Sequence, residues 1–224
     1  MRGAGRARRL AEACASMRPG FISAPDSTRN REPMLESDEQ PSPPAATDAT
    51  DTPPIVLVGL MGAGKSAVGR RLARVLGRPF RDADDAIVEA AGMSIPEIFE
   101  RYGEPAFREL ERRVVAALLE ERGTVIALGG GAFIDPQTRA LVRSRAISIW
   151  IEADLEILVE RTARKPGSRP LLARGEPRDV LRRLMEARYP IYAEADFRVK
   201  TGNGPVDEVV AQILRILEER RSAR

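Results

Sequence analysis

Histidine is absent from this 224-residue chain, and Cys14 is its only cysteine. The first absence excludes imidazole acid–base catalysis, Ser-His triads and histidine metal sites. The second excludes an internal disulfide and a cysteine metal cage, and gives no sign of an oxidising compartment. No stretch approaches the length of a membrane span. Chemistry must therefore come from carboxylates, lysine, arginine, hydroxyls, backbone dipoles or a metal held by oxygen.

What is present is unevenly spread. Seven arginines against three acids give residues 1–34 a net charge of +4, whereas residues 35–54 hold five acids and no base, a net −5. The overall +3 leaves +4 for residues 55–224. That is weak grounds for nucleic-acid binding, and arginines clustered in particular loops suit small anions better. Residues 35–54 are rich in Pro, Ser, Thr and acid and have almost nothing to bury. The Arg-rich start reads either as an organelle-targeting segment or as an over-long translation start, with Met17 or Met34 as the initiator. The expectation is an unfolded or superfluous extension over residues 1–52 and one folded domain over 53–224. With 43% apolar residues, that domain can build a core.

The most informative string is Gly59-Leu-Met-Gly-Ala-Gly-Lys65-Ser66. It follows the apolar run Ile55–Val58 and precedes an amphipathic helix over Lys65–Leu76. Strand, glycine-rich turn and helix form the geometry of a phosphate-binding loop. Glycines let backbone N–H groups converge on phosphate oxygens, and the helix N-terminus adds its positive end. Lys65 can reach the β- and γ-phosphates, and Ser66 can ligate Mg²⁺. A bound nucleoside triphosphate is expected.

Downstream, short apolar strands alternate with helices. Pro79–Arg81 is a short extended piece, and Thr124–Leu128, Ile147–Ile151 and Phe197–Lys200 read as strands. Ser94 and Glu97 form a capping box for a helix to Tyr102, and Pro105 starts a long helix that ends before Gly123. Further helices are expected over Pro136–Val142, from a cap at Asp154 to Ala163, over Asp179–Tyr192 and over Val206–Arg220. This alternation predicts a parallel sheet covered on both faces, with ligands at the carboxyl ends of its strands.

Several residues there carry chemistry. Asp82 and Asp84, read as one extended segment, project to the same side. One can hold Mg²⁺ and the other can meet a substrate hydroxyl, although a pair of loop acids or a helix cap fits the same residues. Gly129-Gly130-Gly131 suits close backbone approach to a ligand, or simply a tight strand exit. Arg108, with Glu111 an i,i+3 partner, and Arg188 can bind a carboxylate bidentately if they converge. The loop Arg164–Pro170 reads as a lid whose Arg169 can meet transferring phosphate.

Together these pieces resemble the shikimate kinase family over about residues 55–220. The resemblance is carried by the phosphate loop, Asp82-Ala-Asp84, Gly103-Glu-Pro-Ala-Phe-Arg108-Glu-Leu-Glu111, Gly129-Gly130-Gly131, Arg169-Pro-Leu-Leu172 and Glu186-Ala-Arg188-Tyr-Pro-Ile-Tyr192. It implies a three-layer α/β/α sandwich with a five-stranded parallel sheet, and transfer of phosphate from ATP to the 3-hydroxyl of shikimate. It also implies a cytoplasmic monomer using ATP and Mg²⁺, with no nucleic-acid or membrane partner. By this resemblance Gly62, Ala63, Gly64, Lys65, Ser66 and Ala67 wrap the phosphates, and Ser66 and Asp82 serve the metal. Asp84 holds the hydroxyl and is the base, with Lys65 and Arg169 completing the catalytic set. Arg108 and Arg188 take the carboxylate beside Gly130 and Gly131, Arg169 meets the ATP phosphates, and Arg161 lies near the adenine. Ala67 departs from the Thr usual in the family, which should thin the phosphate grip without breaking it. A gluconate kinase shares the loop but leaves the arginine pair and the Asp-x-Asp unexplained.

Overall fold

The computed structural model describes residues 52–164 and 175–223. The expected extension up to Asp51 and the lid residue Arg169 lie outside the described residues.

Ile55–Val58 (β1) is four apolar residues, all buried, as a strand covered on both faces must be. It is the middle of a five-stranded sheet of order β2-β3-β1-β4-β5, with β2 at Phe80–Asp82, β3 at Val125–Ala127, β4 at Ile147–Ala153 and β5 at Phe197–Thr201. Every pairing is parallel, with Ile55 beside both Val125 and Ile147. Strands that never reverse must be joined by crossovers, and each crossover here carries helix.

Lys65–Leu76 (α1) links β1 to β2, and Ala83–Ala91 (α2) and Ile95–Leu119 (α3) link β2 to β3. Pro136–Arg145 (α4) leads into β4, Leu155–Ala163 (α5) and Pro177–Tyr192 (α6) lead into β5, and Val206–Ser222 (α7) closes the chain. Right-handed crossovers place α1 on one face and the helices that step back along the sheet on the other. Accordingly α1 packs on α7, while α3 packs on α4. The result is the expected three-layer sandwich. None of the described helices is long and apolar enough to cross a membrane.

Two local readings need correction. Asp82 and Asp84 do not share an extended segment: the strand ends at Asp82, which caps α2 by accepting from the Asp84 N–H at 3.1 Å. Asp84 and Asp85 then fill the first helical turn, where acids favour the helix dipole. Asp154 stands at the start of α5 but makes no side-chain cap; its carboxylate pairs with Lys200 at 3.0 Å instead. The Ser94 capping box is as expected. The two helices read on either side of Gly103 run on as α3, broken only at Gly103, whose φ of 78° is not helical.

Strand order reverses around β1: the chain leaves β1 towards β2 and leaves β3 towards β4. A crevice opens at such a switch point, outside the carboxyl ends of β1 and β3. The phosphate loop leaves one of these strands and the triple glycine leaves the other.

Candidate active site

The donor side of the crevice is a single stretch of backbone. The helix α1 opens on Gly64, whose φ of 92° is left-handed and which supplies no side-chain cap. Helix-start amides without a capping side chain, beside a glycine turn, form a cradle for phosphate. Lys65 Nζ donates to the Gly59 and Leu60 carbonyls at 2.8 and 3.0 Å, so the amine lies across its own loop. Ser66 Oγ donates to Asp82 Oδ2 at 2.6 Å. A hydroxyl and a carboxylate oxygen in contact beside the cradle are the hard donors that Mg²⁺ takes when substrate phosphates complete its shell. Among the described residues no group of three or more His, Cys, Asp or Glu could hold a metal ion. Ala67 is exposed in the first turn of α1.

Arg161, on α5, reaches back over this loop. Its Nη1 donates to Gly62 O and Ala63 O at 3.4 and 3.3 Å, and its Nη2 to Gly202 O at 2.5 Å. It ties the phosphate loop to the turn after β5.

The acceptor side is assembled from four separate segments. Arg108 on α3 donates to Glu111 at 2.6 Å and to Glu104 at 3.2 Å. Arg188 on α6 donates to the Gly130 carbonyl at 2.8 Å. Between them run the three glycines, and close packing explains two of them, Gly131 and Gly129. A Cβ on Gly131 would lie 2.5 Å from the Arg108 guanidinium, and one on Gly129 would lie 2.7 Å from Asp84 Oδ1 and 3.2 Å from Glu111 Oε1. Gly130 packs on the phosphate loop itself, its Cβ position 3.5 Å from the Met61 amide nitrogen. The two halves of the crevice therefore lie next to each other at Gly130.

Glu111 is nearly buried, at 3% exposure. Burial pushes its carboxyl up from the ordinary 4.5; Arg108 opposes this, and the negative charge of Asp84 adds to the rise. For Arg108, burial acts to lower the guanidinium, but the attraction and hydrogen bonding of Glu111 outweigh it and the net direction is upward. Glu111 thus fixes Arg108 from below and faces the same glycine as Asp84.

Of the expected site residues, Gly62, Ala63, Gly64, Lys65, Ser66, Ala67, Asp82 and Arg161 lie on the donor side. Asp84, Arg108, Gly130, Gly131 and Arg188 lie on the acceptor side. Arg169 is outside the described residues. Sequence reading missed two contributors. Met61 meets Gly130 through its backbone, which no side-chain pattern signals. Glu111 was visible only as an i,i+3 partner, and its contact with the glycine run depends on the fold.

The family model described as "Shikimate kinase" matches residues 61–218. A shikimate kinase of Caulobacter vibrioides is 56% identical over 165 residues, which are 74% of this chain and 82% of that protein. Among solved structures, a shikimate kinase from Acinetobacter baumannii in complex with shikimate superposes with a TM-score of 0.74 at 37% identity, covering 77% of this chain and 96% of that one. A gluconokinase from Sinorhizobium meliloti shares the fold alone, with a TM-score of 0.52 at 19% identity over 76% of this chain and 97% of its own.

Proposed function

The chain belongs to the shikimate kinase family, and from that premise we propose that it transfers the γ-phosphoryl group of ATP to the 3-hydroxyl of shikimate, giving shikimate 3-phosphate and ADP in aromatic biosynthesis. One observation supports this most strongly. Two arginines flank a glycine run that packs directly on a phosphate loop, with an exposed carboxylate, Asp84, beside them. A small hydroxylated carboxylic acid seated on the arginines would present a hydroxyl towards Asp84 and the donor.

In this reading Gly62 to Ala67 wrap the ATP phosphates, and Lys65 moves from its loop carbonyls onto them. Ser66 and Asp82 would hold Mg²⁺, which when bound would neutralise phosphate charge. Asp84 accepts the proton of the 3-hydroxyl as that oxygen bonds to the γ-phosphorus and the bridging P–O bond breaks, so ADP leaves. Arg108 and Arg188 bind the shikimate carboxylate with Gly130 and Gly131 closing the site. Arg169 meets the transferring phosphate from the lid, and Arg161 borders the adenine. We assign the monomer as the acting form. We assign the catalytic unit to residues 53–224 and its place of work to the cytoplasm, where ATP is available.

The test is a coupled ADP-release assay with shikimate, gluconate and nucleoside monophosphates at matched concentration. Shikimate-dependent turnover well above the others is expected. Folded protein that turns over gluconate but not shikimate would overturn the reading.

A further inference from the structure

Tyr192, the last residue of α6, is fully buried, and its hydroxyl donates to the Gly130 carbonyl at 2.5 Å. Arg188, one helical turn earlier, donates to the same oxygen at 2.8 Å. A carbonyl oxygen has two lone pairs, and here both are engaged from one helix face. Any buried tyrosine seeks an acceptor, so its hydrogen bond alone says little. What singles this one out is that its acceptor also anchors Arg188.

The ring is held independently. Its centroid lies 6.2 Å from that of Trp150 and 6.3 Å from that of Tyr189. Burial pushes the hydroxyl up to about 12, so it remains a donor throughout the neutral range. The flanking carbonyls of Gly129 and Gly131 accept from the Ala132 and Ile134 N–H groups at 3.1 Å each, whereas the Gly130 oxygen is held by the Tyr192 and Arg188 side chains. No peptide among the described residues is cis. Fixing the Gly130 oxygen therefore points the Gly131 N–H the opposite way within the peptide plane, and Gly131 is the residue that abuts Arg108.

We propose that Tyr192 is a positioning residue for the acceptor's carboxylate, holding the Gly130–Gly131 peptide and the Arg188 guanidinium in register. It touches no reacting atom. Without its hydroxyl, Arg188 alone must anchor the backbone, and its charge is drawn away from an incoming carboxylate. The inference rests on the reading of Arg108 and Arg188 as the carboxylate site.

Tyr192→Phe keeps the ring and removes only the hydroxyl. The KM for shikimate should rise about 5- to 20-fold, the scale of one partly shared hydrogen bond to a charged group. The KM for ATP should stay unchanged and kcat should fall less than about threefold, since a structural role would move both KM values together. Introducing Arg188→Lys into wild type and into Tyr192→Phe should give a combined loss smaller than the product of the single losses. An unchanged shikimate KM, an equal rise in both KM values, multiplicative losses or failure of Tyr192→Phe to fold would each overturn the assignment. A wild-type protein without shikimate turnover removes the functional reading beneath it; normal turnover with an unaffected Tyr192→Phe removes Tyr192 alone.

Discussion

The donor and acceptor halves of the crevice are built in opposite ways. In the proposed reading the donor half is one continuous loop, Gly59 to Ala67, that binds through its backbone, with Asp82 and Arg161 reaching in from outside. The acceptor half draws side chains from α2, α3 and α6 onto the glycines after β3. Backbone amides are supplied by almost any sequence with the right glycines, so the donor half tolerates a departure such as Ala67. A site made of paired charges depends on each partner, because removing one leaves the other buried and uncompensated. Substitutions should therefore separate the halves, and the acceptor half should show the steeper losses.

The largest separation is expected at Asp84. Asp84→Asn should lower turnover about 1000-fold, the scale of a lost general base. ATP affinity, measured by calorimetry with a non-hydrolysable analogue, should change less than about threefold. A matching loss of ATP affinity would move Asp84 to the nucleotide or metal. Next comes Arg108→Ala, which removes a guanidinium and leaves Glu111 without its partner. The shikimate KM should rise about 100-fold, with little change for ATP. Gly131→Ala should follow at about tenfold on the shikimate KM, because the new methyl meets the Arg108 guanidinium and misplaces it. An effect on ATP instead would break the division between the halves.

Acid should act on the acceptor half alone. The Glu111 carboxyl titrates above its ordinary 4.5, and protonation weakens its hold on Arg108. The shikimate KM should climb about severalfold as pH falls through that raised value, while the ATP KM lacks this limb. Stability carries the opposite sign. A folded-state pKa raised above the unfolded value means the folded chain binds the proton more tightly. Glu111's contribution is thus full below 4.5 and declines as pH rises through the folded value. Glu111→Gln should remove both dependences in steady-state kinetics and thermal unfolding. The smallest effect belongs to the donor half: Ala67→Thr, at an exposed position, should lower the ATP KM about two- to threefold by adding one hydroxyl contact.

The same contrast governs how far the sequence could be read. The phosphate loop was legible because its binding groups are contiguous and its strand and helix flank it directly. The sheet was legible because buried parallel strands are mostly apolar runs, as Ile55–Val58 is throughout and Ile147–Ile151 is apart from Ser148. Asp82 and Asp84 were placed near the site but given the wrong backbone. A strand only three residues long leaves no room for alternation, whereas Asp84 and Asp85 before Ala86 and Ile87, with Gly92 following, are ordinary helix signals. The convergence of Arg108 and Arg188 was not legible from spacing, because 80 positions separate them and only the sheet brings α3 and α6 to one glycine run. Resemblance supplied that pairing; the residues alone left both arginines open to a surface role.

The account stands on the claim that the acceptor half selects a carboxylate. The direct measurement is kcat/KM for shikimate against its neutral carboxamide at saturating ATP. A loss of about 100-fold or more for the carboxamide, carried by KM and with the ATP KM unchanged, is the predicted result. Equal phosphorylation of the acid and the carboxamide would contradict it.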